Sequence, residues 1–304
     1  SFSIRTIIMW VIYDLFKKYN LPHCPKIYTA FVCGNNAYSM YDVPSIGSFK
    51  QVLQSYPVTQ ALIYSIILQL LVVSHTLKQL HFSHGMPSIN SMSFNKNPVS
   101  YMYDGVKIVG PITLQLADMW HSSAVINNVH YYSSDITSTI RAERSMYTPE
   151  IQTMNLPTAY CAAYNSNLSC PSTKVCDKID TNCTENIAVY YKLSGDNIDS
   201  YNAVRHMGFP IYSGSFDLYC WIVSMMLDNR IFTTVVNDPM LNSLWMSMWT
   251  KADMDTIHTR LAQIHEMQET MTNMEKRHLE LEVISGVWLR CDIGDYLWSV
   301  VKSQ

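Results

Sequence analysis

The sequence predicts an α+β fold in which short strand-like segments alternate with long apolar helices. Residues 60–80 form an apolar run with helical character. Residues 26–49 instead contain two strand-like runs on either side of a Gly-Asn-Asn turn. With 304 residues, 48% of them hydrophobic, the chain is long enough to bury one large core or two modest ones.

The first predicted element is a helix over residues 4–19. Its apolar side chains recur at the spacing of one helix face, at Ile7, Ile8, Val11, Ile12 and Leu15. The helix at 60–80 follows the two strand-like runs. Its uninterrupted apolar core is about 13 residues long, shorter than the roughly 20 that a bilayer requires. We therefore predict a buried core helix and no membrane span.

Alternating runs at 100–108 and 112–116 predict strands. From Asp253 to Ser285 the apolar residues recur at intervals of three and four residues, and Gly286 predicts the end of the helix. This is a long amphipathic helix of about 30 residues, well above the average helix length. The sequence leaves open whether it packs on its own chain or docks with another subunit.

The charge content limits the partners of the chain. Charged residues make up 15% of the sequence, below the roughly 25% of an ordinary soluble protein. The formal charge is −3 and the pI is about 6.3, with lysine and arginine scattered along the chain. Since no basic field is present, we expect no direct binding to nucleic acid.

Eight cysteines are present, and half of them lie in a polar, loop-like insertion at about 155–200. The four insertion cysteines, Cys161, Cys170, Cys176 and Cys183, lack the C-x-x-C pairs of structural zinc sites. Three states stay open: free thiols, one or two disulfides, or zinc bound by the last three of them with His206. The other four lie in apolar settings that predict core thiols: Cys24, Cys33, Cys220 and Cys291.

Residues 79–94 read Gln-Leu-His-Phe-Ser-His-Gly-Met-Pro-Ser-Ile-Asn-Ser-Met-Ser-Phe. They resemble the catalytic loop of protein kinases, in which an Asp orients the substrate hydroxyl and an Asn holds a metal ion. In that resemblance His84 is the structural histidine, Met86 stands at the Asp position and Ser91 at the Asn position. A thioether cannot accept a proton, so the resemblance implies a kinase fold without kinase chemistry.

Three further segments resemble kinase motifs. Leu-Ala-Asp-Met-Trp at 116–120 is similar to the metal-binding Asp-Phe-Gly segment, so Asp118 is a candidate for residual binding of ATP and Mg²⁺. We expect no other cofactor. Glu150 ends a Thr-Pro-Glu tripeptide that resembles the structural Ala-Pro-Glu motif. The resemblance implies that Asp217, at the start of its helix, caps the backbone of the loop.

The resemblance implies a domain organisation. Residues 1–50 are the remnant of a small lobe and hinge, residues 51–252 are a mainly helical large lobe with the insertion, and residues 253–304 hold the amphipathic helix and a C-terminal segment. No Gly-rich phosphate loop or strand lysine of a kinase occurs in these 304 residues. Since the chain begins with Ser1, we expect further residues upstream.

Met86 and Asp118 are 32 residues apart (118 − 86). A long interval of this kind resembles kinase-like proteins of large DNA viruses, in which a Tyr-rich hairpin precedes the metal-binding Asp. The richness of the chain in Met, Asn, Tyr and Ser agrees with this resemblance. Among viral families, we expect the nucleocapsid proteins of baculovirus-like insect viruses. The resemblance implies a non-catalytic pseudokinase, a structural or assembly component of the virion. We expect hetero-oligomers with other virion or capsid proteins, in the virion and in the host nucleus or cytoplasm during assembly.

Two alternatives stay open at this stage. One is an unconventional phosphotransferase or nucleotide sensor that retains Asp118 and recruits a base from elsewhere. The other is an α+β capsid-associated protein with no kinase architecture.

Overall fold

The computed structural model describes residues 4–33, 36–80, 82, 84, 89–117, 119, 122–126, 129–132, 216–248, 251–266 and 293–303. These residues combine helices with small two-stranded antiparallel sheets, which confirms the α+β class. Their buried apolar side chains form a core to which both halves of the chain contribute.

The helices are α1 (Ile4–Lys18), α2 (Phe49–Ser55), α3 (Gln60–Leu77), α4 (Phe216–Met226), α5 (Asn229–Asn237), α6 (Pro239–Met246), α7 (Lys251–Glu266) and α8 (Ile293–Ser303). The strands are β1 (Ile27–Cys33), β2 (Asn36–Tyr41), β3 (Met92–Asn95), β4 (Val99–Tyr103), β5 (Val106–Gly110), β6 (Thr113–Leu116), β7 (Ser123–Ile126) and β8 (Val129–Tyr132). The predicted helices at 4–19 and 60–80, and the two strands before the second, are confirmed to within a few residues.

Helix α3 is the central helix of the core. It begins after Thr59, whose side-chain oxygen accepts a hydrogen bond from Leu62 N at 3.2 Å. By length and composition it is apolar enough to cross a membrane, and 72% of its most apolar window is buried inside the structure. The side chain of Gln69, in the middle of α3, is fully buried as well.

Gln69 ties α3 to β6 through both ends of its amide. Its Oε1 accepts from Leu114 N at 2.8 Å, and its Nε2 donates to Ile112 O at 3.1 Å. A buried amide is tolerated where its hydrogen bonds are made. This polar residue therefore fixes the position of β6 against the helix.

Strands β3 and β6 form an antiparallel pair, from Met92 opposite Leu116 to Asn95 opposite Thr113. The β4–β5 hairpin is inserted between them in the sequence, and its tip is Asp104-Gly105. Both tip residues have positive φ, 47° and 82°, as a two-residue Asp-Gly hairpin turn requires. The prediction of one strand over 100–108 was therefore wrong, because this turn divides the run into two.

Residue His23 lies against β6 at its other side. His23 O accepts from Leu116 N at 2.9 Å, while its ring Nδ1 donates to Leu114 O at 2.8 Å. The ring Nε2 accepts from the Tyr101 hydroxyl at 2.5 Å, which links β4 to the same residue. Burial lowers the pKa of His23 from 6.5 to about 4, so the ring is neutral at pH 7.

The cysteine predictions are partly tested by the structure. Cys24 is buried, and burial raises the pKa of its thiol to about 12. Cys33 is exposed, so the prediction of a core thiol there was wrong. It stands at the end of β1, where a strand with one open face points alternate side chains to solvent. The structure does not describe Cys291 or the side chain of Cys220.

In the C-terminal part, Asp238 caps α6 by accepting from Met240 N and Leu241 N at 3.1 and 2.9 Å, with Pro239 at the first helical position. Of the predicted helix over 253–285, the structure describes α7 to residue 266, and the rest lies outside the described residues. Helix α8 was not predicted.

Helix α8 packs against α3 and the hairpin tip. Its Trp298 Nε1 donates to Asp104 Oδ2 at 2.9 Å, and Lys302 Nζ donates to the same oxygen at 3.0 Å. The side chains of Trp298 and Tyr103 meet edge to face, with ring centroids 5.4 Å apart. The tip of the β4–β5 hairpin is thus held by the C-terminal helix.

Candidate functional site

The loop predicted to resemble a kinase catalytic loop begins where α3 ends. A 3-10 turn at Lys78–Leu80 leads to Phe82 and His84, and a second at Ile89–Ser91 leads into β3. The side chain of His84 is fully buried. Its Nε2 lies 2.7 Å from the carbonyl oxygen of Ala117. Since a carbonyl only accepts, Nε2 carries the hydrogen of this bond.

Asp217, in the first turn of α4, contacts the N-terminal part of this loop. Its Oδ2 accepts a hydrogen bond from His84 N at 2.6 Å, and its side chain is buried. A backbone N–H bonded to a carboxylate is among the stronger hydrogen bonds in proteins. The structure thus brings together His84 and Asp217, two of the residues to which the resemblance assigned structural roles.

Ser224 holds the other end of the loop. Its Oγ accepts from Ile89 N at 2.7 Å and donates to Trp221 O at 2.9 Å, one turn back along α4. Asp217 and Ser224 are seven residues apart, which is two helical turns. One face of α4 therefore fixes the chain both before and after residues 85–88.

Sequence reasoning missed Ser224. A signal was present, because positions 217, 221 and 224 follow the i, i+4, i+7 pattern of one helix face. The middle position is Trp221, a buried residue whose ring meets His84 edge to face at 5.7 Å. Two polar residues that flank a buried tryptophan on one helix face need hydrogen-bond partners, and here the partners are backbone N–H groups of the loop.

The β3–β6 pair determines where Ser91 lies. Because the pair ends with Met92 opposite Leu116, the residues just outside it, Ser91 and Ala117, emerge at the same end. Ser91 is buried, and so is Met119. The position predicted for a metal-binding Asn is thus occupied by the buried Ser91. Ala117, which leaves the strand pair at the same end, comes directly before residue 118 in the sequence.

Several predicted site residues lie outside the described part of the chain. These are Met86, Asp118, Glu150, Cys161, Cys170, Cys176, Cys183 and His206. The roles expected of them stay predictions, as do those of the insertion. Among the residues that the structure describes, no group of three or more His, Cys, Asp or Glu side chains of the kind that holds a metal ion occurs.

A cleft of about 280 Å³ opens elsewhere, beside the β3–β6 pair. It is lined by amide, hydroxyl and proline side chains, among them Asn95, Asn97 and Gln115. These groups bond mainly to one another and to nearby backbone: Asn95 Nδ2 donates to Gln115 Oε1 at 2.7 Å, and Gln115 Nε2 to Pro22 O at 3.3 Å. The lining does not include His84, Ser91 or Asp217, and it offers no charged group.

The comparisons with protein-family models, with curated proteins and with solved structures found no match to this chain.

The chemistry available at the loop follows from these contacts. The His84 ring donates to a carbonyl and the Asp217 carboxylate accepts from a backbone N–H, so both of these contacts hold the chain in place. Ser224 does the same. The described residues of the site are therefore an anchor for a loop, built from buried and hydrogen-bonded groups.

Proposed function

We propose that this protein is a non-catalytic pseudokinase that serves as a structural or assembly component of a large DNA virus particle. The observation that carries the proposal is the combination of a loop that is bonded to α4 at two points with a missing catalytic Asp. Helix α4 binds the loop backbone at His84 and Ile89, while the residue at the position of the catalytic Asp is Met86. Such a loop keeps its support and lacks the carboxylate that would accept the substrate proton.

The order of elements supports the kinase-like architecture. A helix and two strands come first, then a short helix, the buried helix α3, the loop, and a strand pair that ends just before Asp118. A helix with a buried Asp in its first turn follows later in the chain. This order matches the segments on which the resemblance rests, although each motif is degenerate.

Exposed apolar residues support a role in protein assembly. Within the described residues, several large apolar side chains are exposed on one hairpin, the β1–β2 ribbon (residues 27–41). Phe31 and Tyr38 stack on its outer face with ring centroids 5.3 Å apart, and Met40 is 55% exposed. Clustered exposed apolar residues mark surfaces that bind other proteins. The partners in this proposal are other virion or capsid proteins.

The attribution to a virus rests on the resemblance in the interval between Met86 and Asp118. The described structure contains the hairpin of that interval, β4–β5, with Tyr101 and Tyr103 on it. In the proposed role the protein forms hetero-oligomers in the virion. During assembly it is present in the host nucleus or cytoplasm.

The nucleotide question is tested by a thermal-shift titration of the purified protein with ATP and Mg²⁺. Binding to the folded state raises the melting temperature in proportion to the linked free energy. For the proposed scaffold we expect no shift in the wild type, in Asp118→Asn or in Met86→Asp. Calorimetry without ligand checks that all three proteins are folded.

A second function is favoured by one observation, the retention of Asp118 directly after the β3–β6 pair. If ATP and Mg²⁺ stabilise the wild type and not Asp118→Asn, the protein is a nucleotide sensor or an unconventional phosphotransferase. Phosphate release, or transfer to a partner, then separates those two. Stabilisation that is equal in both proteins points to binding elsewhere.

The assembly role is tested on particles. We expect the chain in the nucleocapsid fraction of purified virions, and we expect the double variant Phe31→Ser/Tyr38→Ser to be incorporated less than the wild type. The matched control is Met102→Ser, since Met102 is 63% exposed on the β4–β5 hairpin. Absence of the wild type from the nucleocapsid fraction contradicts the proposed role.

A further inference from the structure

Helix α7 is joined to α5 and α6 by an aromatic and histidine cluster beside its apolar face. Ile257, Leu261 and Ile264 are buried at 1% exposure or less and form the apolar face. Alongside them, the ring of His258 lies against Phe232 of α5, with centroids 5.5 Å apart. The same histidine lies parallel to Trp245 of α6, at 6.4 Å.

One hydrogen bond crosses between α6 and α7 in this cluster. Trp245 Nε1 donates to His258 Nε2 at 3.0 Å, and the Trp245 side chain is 2% exposed. An indole N–H only donates, so His258 Nε2 must be the unprotonated nitrogen of a neutral ring. The bond therefore exists in only one protonation state of the histidine.

Protonation of His258 removes this acceptor. Both ring nitrogens of an imidazolium are donors, so Nε2–H and the indole N–H then face each other. The buried indole N–H then loses this acceptor, and replacing a buried hydrogen bond by a contact between two donors is costly. The charged ring must also be accommodated against Phe232, in a partly buried position.

Among the described residues, the groups that face His258 from α5 and α6 carry no free negative charge. The side chains that meet it from α5 and α6 are Phe232 and Trp245, and neither is titratable. The charges of α5 at Asp228 and Arg230 are paired with each other at 2.9 Å. Asp238 of the α6 cap is bonded to backbone N–H groups.

Among the described side chains of α7, two further titratable groups belong to this cluster. Burial lowers the pKa of His258, and Asp255 on the same helix raises it by less. His265 meets Phe232 from the next turns of α7, at 5.2 Å between centroids. Its own protonation is therefore a competing source of any response to acid and has to be separated by a variant.

We propose that the Trp245–His258 contact is a pH-sensitive latch that holds α7 on α5 and α6 at neutral pH and releases the helix in mild acid. The sign follows from the direction of the shift. The released helix binds the proton more tightly than the latched helix, so falling pH favours release. The effect begins below about pH 6.5, the ordinary pKa of histidine. The latch does not depend on the proposed pseudokinase function.

The test is amide hydrogen exchange on the whole chain at pH 7.5 and 5.5, corrected for the intrinsic pH dependence of exchange. We expect exchange in peptides from 251–266 to rise on the order of threefold to tenfold at pH 5.5. Peptides from α3 serve as the internal reference. His258→Gln keeps an acceptor oxygen for the indole and does not titrate, so we expect its α7 to stay protected at both pH values.

Three further variants make the test specific. Trp245→Phe removes the donor, so the response to acid should fall below that of the wild type. His265→Gln and His75→Gln should keep the full response, the second being a control on α3. The latch is overturned if the wild type shows no rise, or if His258→Gln responds to acid as the wild type does. A response lost in His265→Gln alone also overturns it.

Discussion

Two hairpins of the structure have the same local design and different surroundings. The β1–β2 ribbon and the β4–β5 hairpin are both two-stranded, antiparallel and rich in tyrosine. Both also expose apolar side chains, Met102 on β4–β5 and Phe31, Tyr38 and Met40 on the ribbon. Hairpin β4–β5, however, buries Ile108 completely and packs on α3, and its tip is bound by Trp298 and Lys302 of α8.

The comparison teaches that strand pairing alone does not decide the stability of a hairpin. An isolated two-stranded hairpin is marginal in water and needs a packed face. The β4–β5 hairpin has such a face in α3, with His23 and α8 at its sides and tip. On the outer face of the ribbon the apolar groups stay accessible, which suits the binding of another protein.

The largest expected effect at neutral pH is that of Gly110→Ala, where β5 approaches α3. A Cβ at residue 110 would overlap the Ser65 hydroxyl and lie 2.9 Å from Ser65 Cβ. Since Gly110 and Ser65 lie on β5 and α3, which pack on each other, we expect the free energy of unfolding to fall by about 3 kcal/mol. Chemical denaturation of the wild type and the variant measures the difference.

Gly105→Ala is the matched control in the same hairpin. Residue 105 has φ +82°, and no atom lies within 4 Å of an added Cβ, so only backbone strain opposes the change. We expect a loss of about 1 kcal/mol there. Ser65→Gly should restore part of the stability lost in Gly110→Ala. Equal losses at 110 and 105 would contradict the close approach of hairpin and helix.

The second effect concerns the His23 contact with Tyr101 of the hairpin. The pKa of His23 is lowered to about 4 by burial. Below pH 6.5 the unfolded chain binds a proton that the folded chain does not, so stability is lost as the pH falls towards 4. Between pH 6.5 and pH 4 we expect His23 to lower the free energy of unfolding by about 3 kcal/mol.

Denaturation between pH 7.5 and 4 measures this dependence, and the wild type is compared with His23→Gln. The variant lacks the titrating group, so its stability should fall less steeply whatever its value at pH 7.5. Titration of the His23 ring by NMR gives the pKa of the folded protein directly. A pKa near 6.5 would show that the ring is not sequestered between β4 and β6.

The smallest expected effect is that of Met40→Thr on the outer face of the ribbon. Met40 is 55% exposed, so its replacement by a residue of good strand propensity should change the free energy of unfolding by no more than about 0.5 kcal/mol. Met102→Thr is the matched change on the hairpin. A loss well above 1 kcal/mol at Met40 alone would indicate that this face is covered in the native state.

The sequence predicted the elements that have a strong local pattern. Helices α1 and α3 have apolar residues at helical spacing or in a long run, and β1 and β2 flank a Gly-Asn-Asn turn. The division of 100–108 was missed, although Asp104-Gly105 is a hairpin signal. Helix α8 was missed although Leu297, Trp298 and Val301 recur at the spacing of one helix face. Its bond to Asp104, 194 residues earlier in the chain, has no local signal in the sequence.

The site was predictable only where one residue has a recognisable role. Asp217 at a helix start was found in that way, and its bond to His84 N is part of the structure. Ser224 and Gln69 bind backbone groups from positions inside helices, where serine and glutamine have many other uses. Whether Asp118 binds a nucleotide stays a prediction.

The two bonds from α4 to the loop have a consequence for how this protein can change. They fix residues 84 and 89 to points two turns apart on one rigid helix. Because each bond is made to a backbone N–H, which every residue except proline has, it does not depend on the side chain that the loop carries at residue 84 or 89. A substitution in the loop can therefore leave its attachment to α4 in place.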